Sequence, residues 1–196
     1  MRFYHMSSAR PWGDYGKVLI GGICGTPARE GIKLRLERSG PFMPPITFPG
    51  IGEVVVTSDF RDALEQVGSH DLAFAPVIKA KIVELRWDEW DRAAAEPREY
   101  PQAGDPEDYI RARPHSPAVS DALGDLWEVL LPEDGDVRAV MLGRGAWEFR
   151  LDPSTWRGAR FFRATGKRHI VATEDAKAWL EGRAGEWLTF VETVAP

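Results

Sequence analysis

The chain has 196 residues, of which 43% are hydrophobic, so it can form one domain or two small, closely packed halves. Its net charge of −5 argues against binding nucleic acid through the overall field, and no apolar run is long enough to predict a signal peptide or a membrane span. The single cysteine, Cys24, excludes an internal disulfide and predicts a reducing, cytoplasmic compartment.

The first glycine-rich segment, residues 21–31, is predicted to be a turn region. It lacks the Gly-Lys-Ser/Thr ending of a phosphate-binding loop and has no GxGxxG motif after a clear strand. Cys24 lies within it, and a small buried cysteine is the favoured interpretation. A nucleophile that works with a distant histidine is the alternative.

Residues 46–78 and 162–194 align with each other without a gap. Eight of the 33 aligned positions are identical, against about two expected from average residue frequencies. Gly50 aligns with Gly166, and Thr57 aligns with Thr173. Internal duplication is the favoured explanation, and local convergence of a common structural unit is the alternative.

Each aligned copy predicts a β-hairpin, a helix and a further strand. Gly50 or Gly166 would supply the positive φ of the hairpin turn. Thr57 or Thr173 would cap the helix, whose apolar residues then recur at helical spacing. The predicted fold class is therefore α+β, with two related halves packed as one compact unit and with mainly antiparallel sheets.

The segment between the two copies predicts further elements. Residues 77–87 alternate in polarity and predict a strand, and residues 88–97 predict a short helix that ends at a proline. Residues 96–117 hold five prolines and predict an acidic connecting loop. This loop would separate an N-terminal half, residues 1–95, from a C-terminal half, residues 118–196.

Two more elements are predicted after the connecting loop. Ser116 and Pro117 predict the start of a helix, and the apolar spacing that follows extends this helix to Leu130. Residues 137–151 alternate on both sides of two glycines and predict a second hairpin.

The negative charge of the chain is concentrated in residues 84–108. This segment carries a charge of −6, whereas residues 1–83 carry +2 and residues 109–196 carry −1. Indoles can serve as buried anchors at an interface, and carboxylates can steer a basic partner. For residues 87–91 taken alone, a solvated acidic helix start is the favoured interpretation, and a partner-binding patch is the alternative on which the site prediction depends. The predicted partner-binding residues are Trp87, Asp88, Glu89, Trp90, Asp91, Asp105, Glu107 and Asp108.

No catalytic, cofactor or metal site is predicted. The four histidines, His5, His70, His115 and His169, have no metal-ligand spacing to one another or to Cys24. Residues 157–168 contain five basic residues, which could suit phosphate or single-stranded nucleic acid. Basic side chains on the exposed face of a hairpin are the favoured interpretation of this stretch.

Two stretches carry a resemblance to a known class of proteins. The opening MRFYHM and the later LDPSTWRGARFFRATGKRHIVATEDAKAWLE resemble bacterial immunity proteins of contact-dependent and polymorphic toxin systems, with the double-CxxCG type as the nearest. The chain departs from that type because Gly21 stands where the first cysteine of the motif belongs, and a second motif is absent.

The resemblance implies a protein that is not an enzyme and that binds and neutralises a cognate toxin. It implies no cofactor here, and because the cysteine motifs are degenerate, no metal site follows from it. Exposed strand edges are compatible with a homodimer. A small hydrolase or transferase, or an interaction module unrelated to toxins, is the alternative.

Overall fold

The computed structural model describes residues 1–31, 33–67, 72–95, 97–101, 104–143 and 146–194. The α-helices are α1 (Gly13–Gly21), α2 (Ser58–Gln66), α3 (Glu107–Ala112), α4 (Pro117–Ala122) and α5 (Glu174–Ala184). The strands are β1 (Phe3–Ser8), β2 (Ile23–Glu30), β3 (Lys33–Pro41), β4 (Ile46–Thr47), β5 (Val55–Thr57), β6 (Ala73–Pro76), β7 (Ile78–Leu85), β8 (Leu126–Leu130), β9 (Asp136–Gly143), β10 (Ala146–Asp152), β11 (Phe161–Arg163), β12 (Ile170–Thr173) and β13 (Leu188–Glu192). The predicted α+β class is confirmed.

Two four-stranded antiparallel sheets share one strand arrangement. The first sheet has the order β4-β5-β8-β6, and the second has the order β11-β12-β1-β13. In each sheet a short antiparallel pair leads into a helix and then into a further strand, as the repeat predicted. An additional strand, which we call the inserted strand, lies between that pair and the further strand. The inserted strand is β8 in the first sheet and β1 in the second.

The inserted strands also occupy equivalent registers. Thr57 pairs with Leu126 in the first sheet, and Thr173 pairs with Phe3 in the second. The pairing of the inserted strand with β6 or β13 keeps this equivalence. In the first sheet the inserted strand comes after the helix in the sequence, whereas in the second it comes before every other strand of the sheet.

The hairpins β4–β5 and β11–β12 do not match each other as the gapless alignment predicts, because their first strands are shifted by one residue. Ile46 pairs in β4–β5 at the place where Phe161 pairs in β11–β12, so the turn of the second hairpin is one residue longer. In the turns of these two hairpins the glycines with positive φ are Gly52 at 104° and Gly166 at 62°, and Gly50 is not among them. The prediction that Gly50 provides the left-handed turn residue is therefore wrong, because the turn of the first hairpin places Gly52 there.

The helices α2 and α5 begin where the aligned threonines predict. The Thr57 hydroxyl accepts a hydrogen bond from the Phe60 amide at 3.4 Å. Thr173 lies at the N-cap of α5, but its hydroxyl donates to Asp175 at 2.6 Å and does not cap the helix. The two helices contact each other through the rings of Phe60 and Trp179, whose centroids lie 5.6 Å apart.

The remaining strands form two smaller sheets. One has the order β2-β3-β7, in which β3 and β7 run parallel, and the other is the hairpin β9–β10. The strand predicted in residues 77–87 and the hairpin predicted in residues 137–151 are both confirmed. The turn predicted in residues 21–31 is wrong, because Gly22, with a φ of 80°, ends α1 and β2 follows at once.

Three predictions between the two copies are also corrected. Gly124 has a φ of 72° and follows α4, so residues 126–130 form β8 and do not extend that helix. The predicted loop at 96–117 contains α3, whose Tyr109 and Ile110 are buried. The helix predicted in residues 88–97 is wrong, because the described residues of this stretch form one 3₁₀ turn, Trp87–Glu89, and then irregular turns.

The main hydrophobic core contains residues of both four-stranded sheets and of α1, α2, α3 and α5. Two smaller clusters lie on the other faces of these sheets. Val171 of the second sheet packs with Phe149 and Leu151 of the hairpin β9–β10, and Val55 of the first sheet packs with Leu36 of β3. The two four-stranded sheets, their helices and the smaller sheets on their outer faces therefore form one compact body. No helix in the described ranges is long and apolar enough to cross a membrane.

Candidate functional site

Trp87 belongs to the core and not to a binding surface. Its side chain is 3% exposed, and its indole N–H donates to the carbonyl of Leu19 at 2.7 Å and lies 2.9 Å from the hydroxyl oxygen of Ser39. These contacts tie the residue to α1 and β3. The prediction that Trp87 contacts a partner is corrected for this reason.

Trp90 is half-buried in an aromatic cluster on the same side of the molecule. Its ring centroid lies 4.2 Å from that of Trp87 and 5.3 Å from that of Trp12. Trp12 also stacks on Trp87 at 5.3 Å. The cluster fixes the acidic turn that follows Trp87 against the start of α1, and it leaves only part of Trp90 accessible.

The carboxylates of this turn are exposed and partly neutralised. Arg86 lies 3.1 Å from Asp88 and 3.4 Å from Glu89. The hydrogen bond from Arg86 lowers the pKa of Asp88. The Asp91 side chain accepts from the amide of Ala93 at 2.9 Å, and within the described ranges no cation lies within ion-pair distance of it.

The second group of predicted residues lies at the start of α3. Asp108 accepts from the amide of Asp105 at 3.3 Å and pairs with Arg111 at 3.5 Å. Burial of Tyr109 holds α3 against the body and raises the pKa of its hydroxyl. The hydroxyl of Tyr15 donates to the carbonyl of Gly104 at 3.0 Å, which ties the segment before α3 to α1.

A polar cleft of about 550 Å³ lies between α1 and α3. Asp105 and Glu107 line it from the α3 side together with Arg111, and Asp14 and Lys17 line it from α1. The residues 88–91 and Asp108 do not line this cleft. The structure therefore divides the predicted set and places two of its members, Asp105 and Glu107, in a concave site.

Four charged residues of this site were missed from the sequence. Asp14, Lys17, Arg111 and the adjoining Glu37 could not be placed because α1, α3 and β3 were not predicted. Residues 13–21 contain the apolar run Val18 to Ile20, preceded by Asp14 in what becomes the first helical turn. Those features are the sequence signals that a helix prediction could have used.

Cys24 lies in the adjoining part of the cleft and is half-buried, not fully buried as predicted. A Cβ on Gly50 would come within 3.2 Å of the Cys24 sulfur, so the loop at Gly50 closes over the thiol. The cleft lining includes no histidine among the described residues. Across all the residues that the structure describes, no three His, Cys, Asp or Glu side chains are grouped so that they could hold a metal ion.

The histidines have structural surroundings elsewhere. His5 stacks on Phe149 with ring centroids 3.7 Å apart, and His169 meets both rings edge-on at 5.4 Å. Burial, and then the charge of His169, lower the pKa of His5 to about 4. The Nδ1 atom of His115 accepts from the amide of Ile82 at 2.9 Å. His70 lies outside the described residues.

The geometry gives a cleft that can accept charged or polar groups. Its carboxylates outnumber its cations, so it favours the basic side chains of a ligand or partner. The comparisons with known proteins add no further assignment: no protein-family model matches the chain, and no curated protein matches it.

Proposed function

We propose that the protein is an immunity protein that binds a cognate bacterial toxin in the cytoplasm and neutralises it by direct contact. The observation that carries this proposal is the acidic cleft between α1 and α3, together with the exposed carboxylates of residues 88–91. A toxin directed at nucleic acid presents a basic groove, and an acidic surface of this kind complements such a groove.

Three carboxylates of the cleft are available to a basic partner. Asp14, Asp105 and Glu107 have no cation within 4 Å among the residues that the structure describes. Each can therefore form a charge-assisted hydrogen bond with an arginine or lysine of the toxin without breaking an internal ion pair. Such pairs raise the association rate and fix the orientation of the complex.

The cleft is also held in shape before any partner arrives. Ile110 of α3 is fully buried in the main core, and Leu19 anchors α1 in the same way. Surfaces that need no reordering lose less conformational entropy on binding, so more of the contact energy appears as affinity. Trp90, at the edge of the aromatic cluster, supplies a partly accessible apolar contact near the acidic turn.

The test begins with a pull-down of the full chain from its native cells, followed by calorimetry with the toxin recovered. The charge-reversed double variant Asp105→Lys/Glu107→Lys is expected to weaken binding at least about 100-fold, because two close charge pairs become repulsive. The same variant should fail to protect cells from the toxin. A toxin that binds this variant as tightly as the unaltered protein would contradict the proposal.

A matched control variant distinguishes the effect of the cleft carboxylates on binding from the effect of the total charge. Asp121→Lys/Glu133→Lys makes the same change in net charge at two exposed residues that do not line the cleft. We expect this control to retain binding, apart from a modest salt-dependent decrease in association rate. Equal losses in both variants would mean that overall charge, and not the cleft, determines binding.

A further inference from the structure

The cleft between α1 and α3 has apolar lining residues as well as charged ones. Val18 of α1 and Ile23 of β2 line it together with Pro49 and Ile51, which belong to the turn of the hairpin β4–β5. Ile51 is 66% exposed, and Ile23 is half-buried. A single exposed apolar residue is common on any surface, but one that lines a cavity with other apolar groups is available to pack against an inserted side chain.

The carboxylates of the cleft come from two of its sides. Asp14 lies on α1, whereas Asp105 and Glu107 lie at and just before the start of α3. Two cations, Lys17 and Arg111, also line the cleft, but within the described residues no ion pair joins either of them to these three carboxylates. A positive charge that enters between α1 and α3 therefore meets unpaired carboxylates from both sides.

We propose that the cleft receives one arginine side chain of the partner, whose aliphatic stem packs on Ile23 and Ile51 and whose guanidinium lies between the carboxylates of α1 and α3. This inference rests on the proposed function, because it names the group of the toxin that the acidic cleft takes. It also gives the apolar lining a part in binding that charge complementarity alone does not provide.

The chemistry of the cleft favours arginine over lysine as the inserted residue. The planar guanidinium carries five N–H donors, so it can bond carboxylates on two sides at once, and it is more weakly hydrated than an ammonium group. Its stem can lie along apolar surface while its charged end reaches the carboxylates. The cleft volume of about 550 Å³ is in the range of pockets that hold small ligands, so a whole arginine side chain fits.

A model compound tests this pocket without the toxin. N-acetyl-arginine amide would be titrated into the full chain with isotope-labelled isoleucine methyl groups, and binding would be followed by NMR. We expect the methyl signals of Ile23 and Ile51 to shift with a dissociation constant in the millimolar range, as suits one side chain. The signals of Ile82 and Ile170, which are buried and do not line the cleft, should not move.

Two comparison compounds and one pair of variants make the titration specific. N-acetyl-citrulline amide has nearly the same shape without the charge and should cause no shift. Asp105→Asn/Glu107→Gln should remove the response to the arginine compound, whereas Asp121→Asn/Glu133→Gln, outside the cleft, should retain it. No shift of Ile23 or Ile51 at tens of millimolar, or an equal response to N-acetyl-lysine amide, would overturn the proposal.

In the complex with the toxin, Ile51→Ser tests the apolar lining. This substitution changes no charge, so we expect the affinity to fall roughly tenfold at low and high salt alike, mainly through faster dissociation. The control Val191→Ser changes an exposed residue outside the cleft and should leave the affinity unchanged.

The two measurements separate this inference from the proposed function. A toxin whose binding depends on Asp105 and Glu107 but not on Ile51 would overturn the arginine pocket and leave the proposed function standing. Specific binding of the arginine compound, with no toxin recovered from the native cells, would support the pocket and contradict the proposed function.

Discussion

The first and second sheets have the same strand order and register, yet their outer faces are covered by different structures. Val55 in the first sheet and Val171 in the second are aligned residues. Val55 packs under the β2-β3-β7 sheet, whereas Val171 packs under the hairpin β9–β10. The shared scaffold therefore accepts unrelated covers, and the features specific to this protein lie on those covers and on the connections to them.

The inserted strands show the same contrast at one position. Glu128 lies opposite Val55, and His5 lies opposite Val171, so the two residues are equivalent. Glu128 is almost fully buried, whereas His5 is half-buried against Phe149. Equivalent backbone positions thus carry side chains of different chemistry, a carboxyl group and an imidazole, which indicates that the cover and not the sheet selects the residue.

The largest expected effect comes from the core beneath the hairpin. Phe162 is fully buried there, and Phe162→Ala should lower the free energy of unfolding by about 3–5 kcal/mol because it leaves a large cavity. Urea denaturation followed by both fluorescence and circular dichroism would measure the loss. Because the main core joins both sheets, a single transition is expected, and separate transitions would show that the two units unfold independently.

A smaller effect is expected from the pH dependence of His5. Its folded-state pKa is lowered to about 4, below the unfolded value near 6.5, so this contribution to stability is present above about pH 6.5 and is lost as the pH falls toward 4. We expect a loss of roughly 1–2 kcal/mol over that window, after allowance for solvent screening. His5→Phe should keep the stacking on Phe149 and flatten the profile measured by urea denaturation. An unchanged profile would assign the pH dependence to other groups.

The smallest effect distinguishes the two hairpin turns. Gly52→Ala forces a side chain onto a residue with a φ of 104°, and its Cβ would lie 3.4 Å from the Arg168 backbone. Gly166→Ala has a φ of 62° and open space around its Cβ. We expect both to destabilise by about 1–2 kcal/mol, with Gly52→Ala the worse of the two, as thermal unfolding would show. Equal losses would mean that the contact with Arg168 relaxes freely.

The sequence predicted the parts of the fold that depend on local signals. Helix starts at Thr57 and Ser116 follow from side chains that cap within one turn of the chain, and the start at Thr173 follows from the same residue type at the N-cap position, although its hydroxyl does not cap. The hairpin β9–β10 follows from alternation around its glycines. The inserted strand β1 was not predicted, because its partners lie far away in the sequence and no local pattern identifies them.

The candidate site was predicted only in part for a similar reason. Charge density pointed to Asp105 and Glu107, which the cleft does contain. The same argument included Trp87, which packs in the main core and whose indole N–H is bonded to Leu19 and Ser39 of other elements. Composition alone cannot separate an indole that anchors a partner from one that closes the core.

The strands β1 and β13 lie side by side, and the amide of Thr193 donates to the carbonyl of Phe3 at 2.8 Å. A short linker across this junction, with a new opening between β8 and β9, would give a circular permutant. In that chain the elements of each four-stranded sheet would follow one order: the short strand pair, the helix, the further strand and finally the inserted strand, with β7, α3 and α4 between the last two in the first sheet. The two four-stranded sheets therefore share one strand arrangement and differ in the order in which the chain forms their strands.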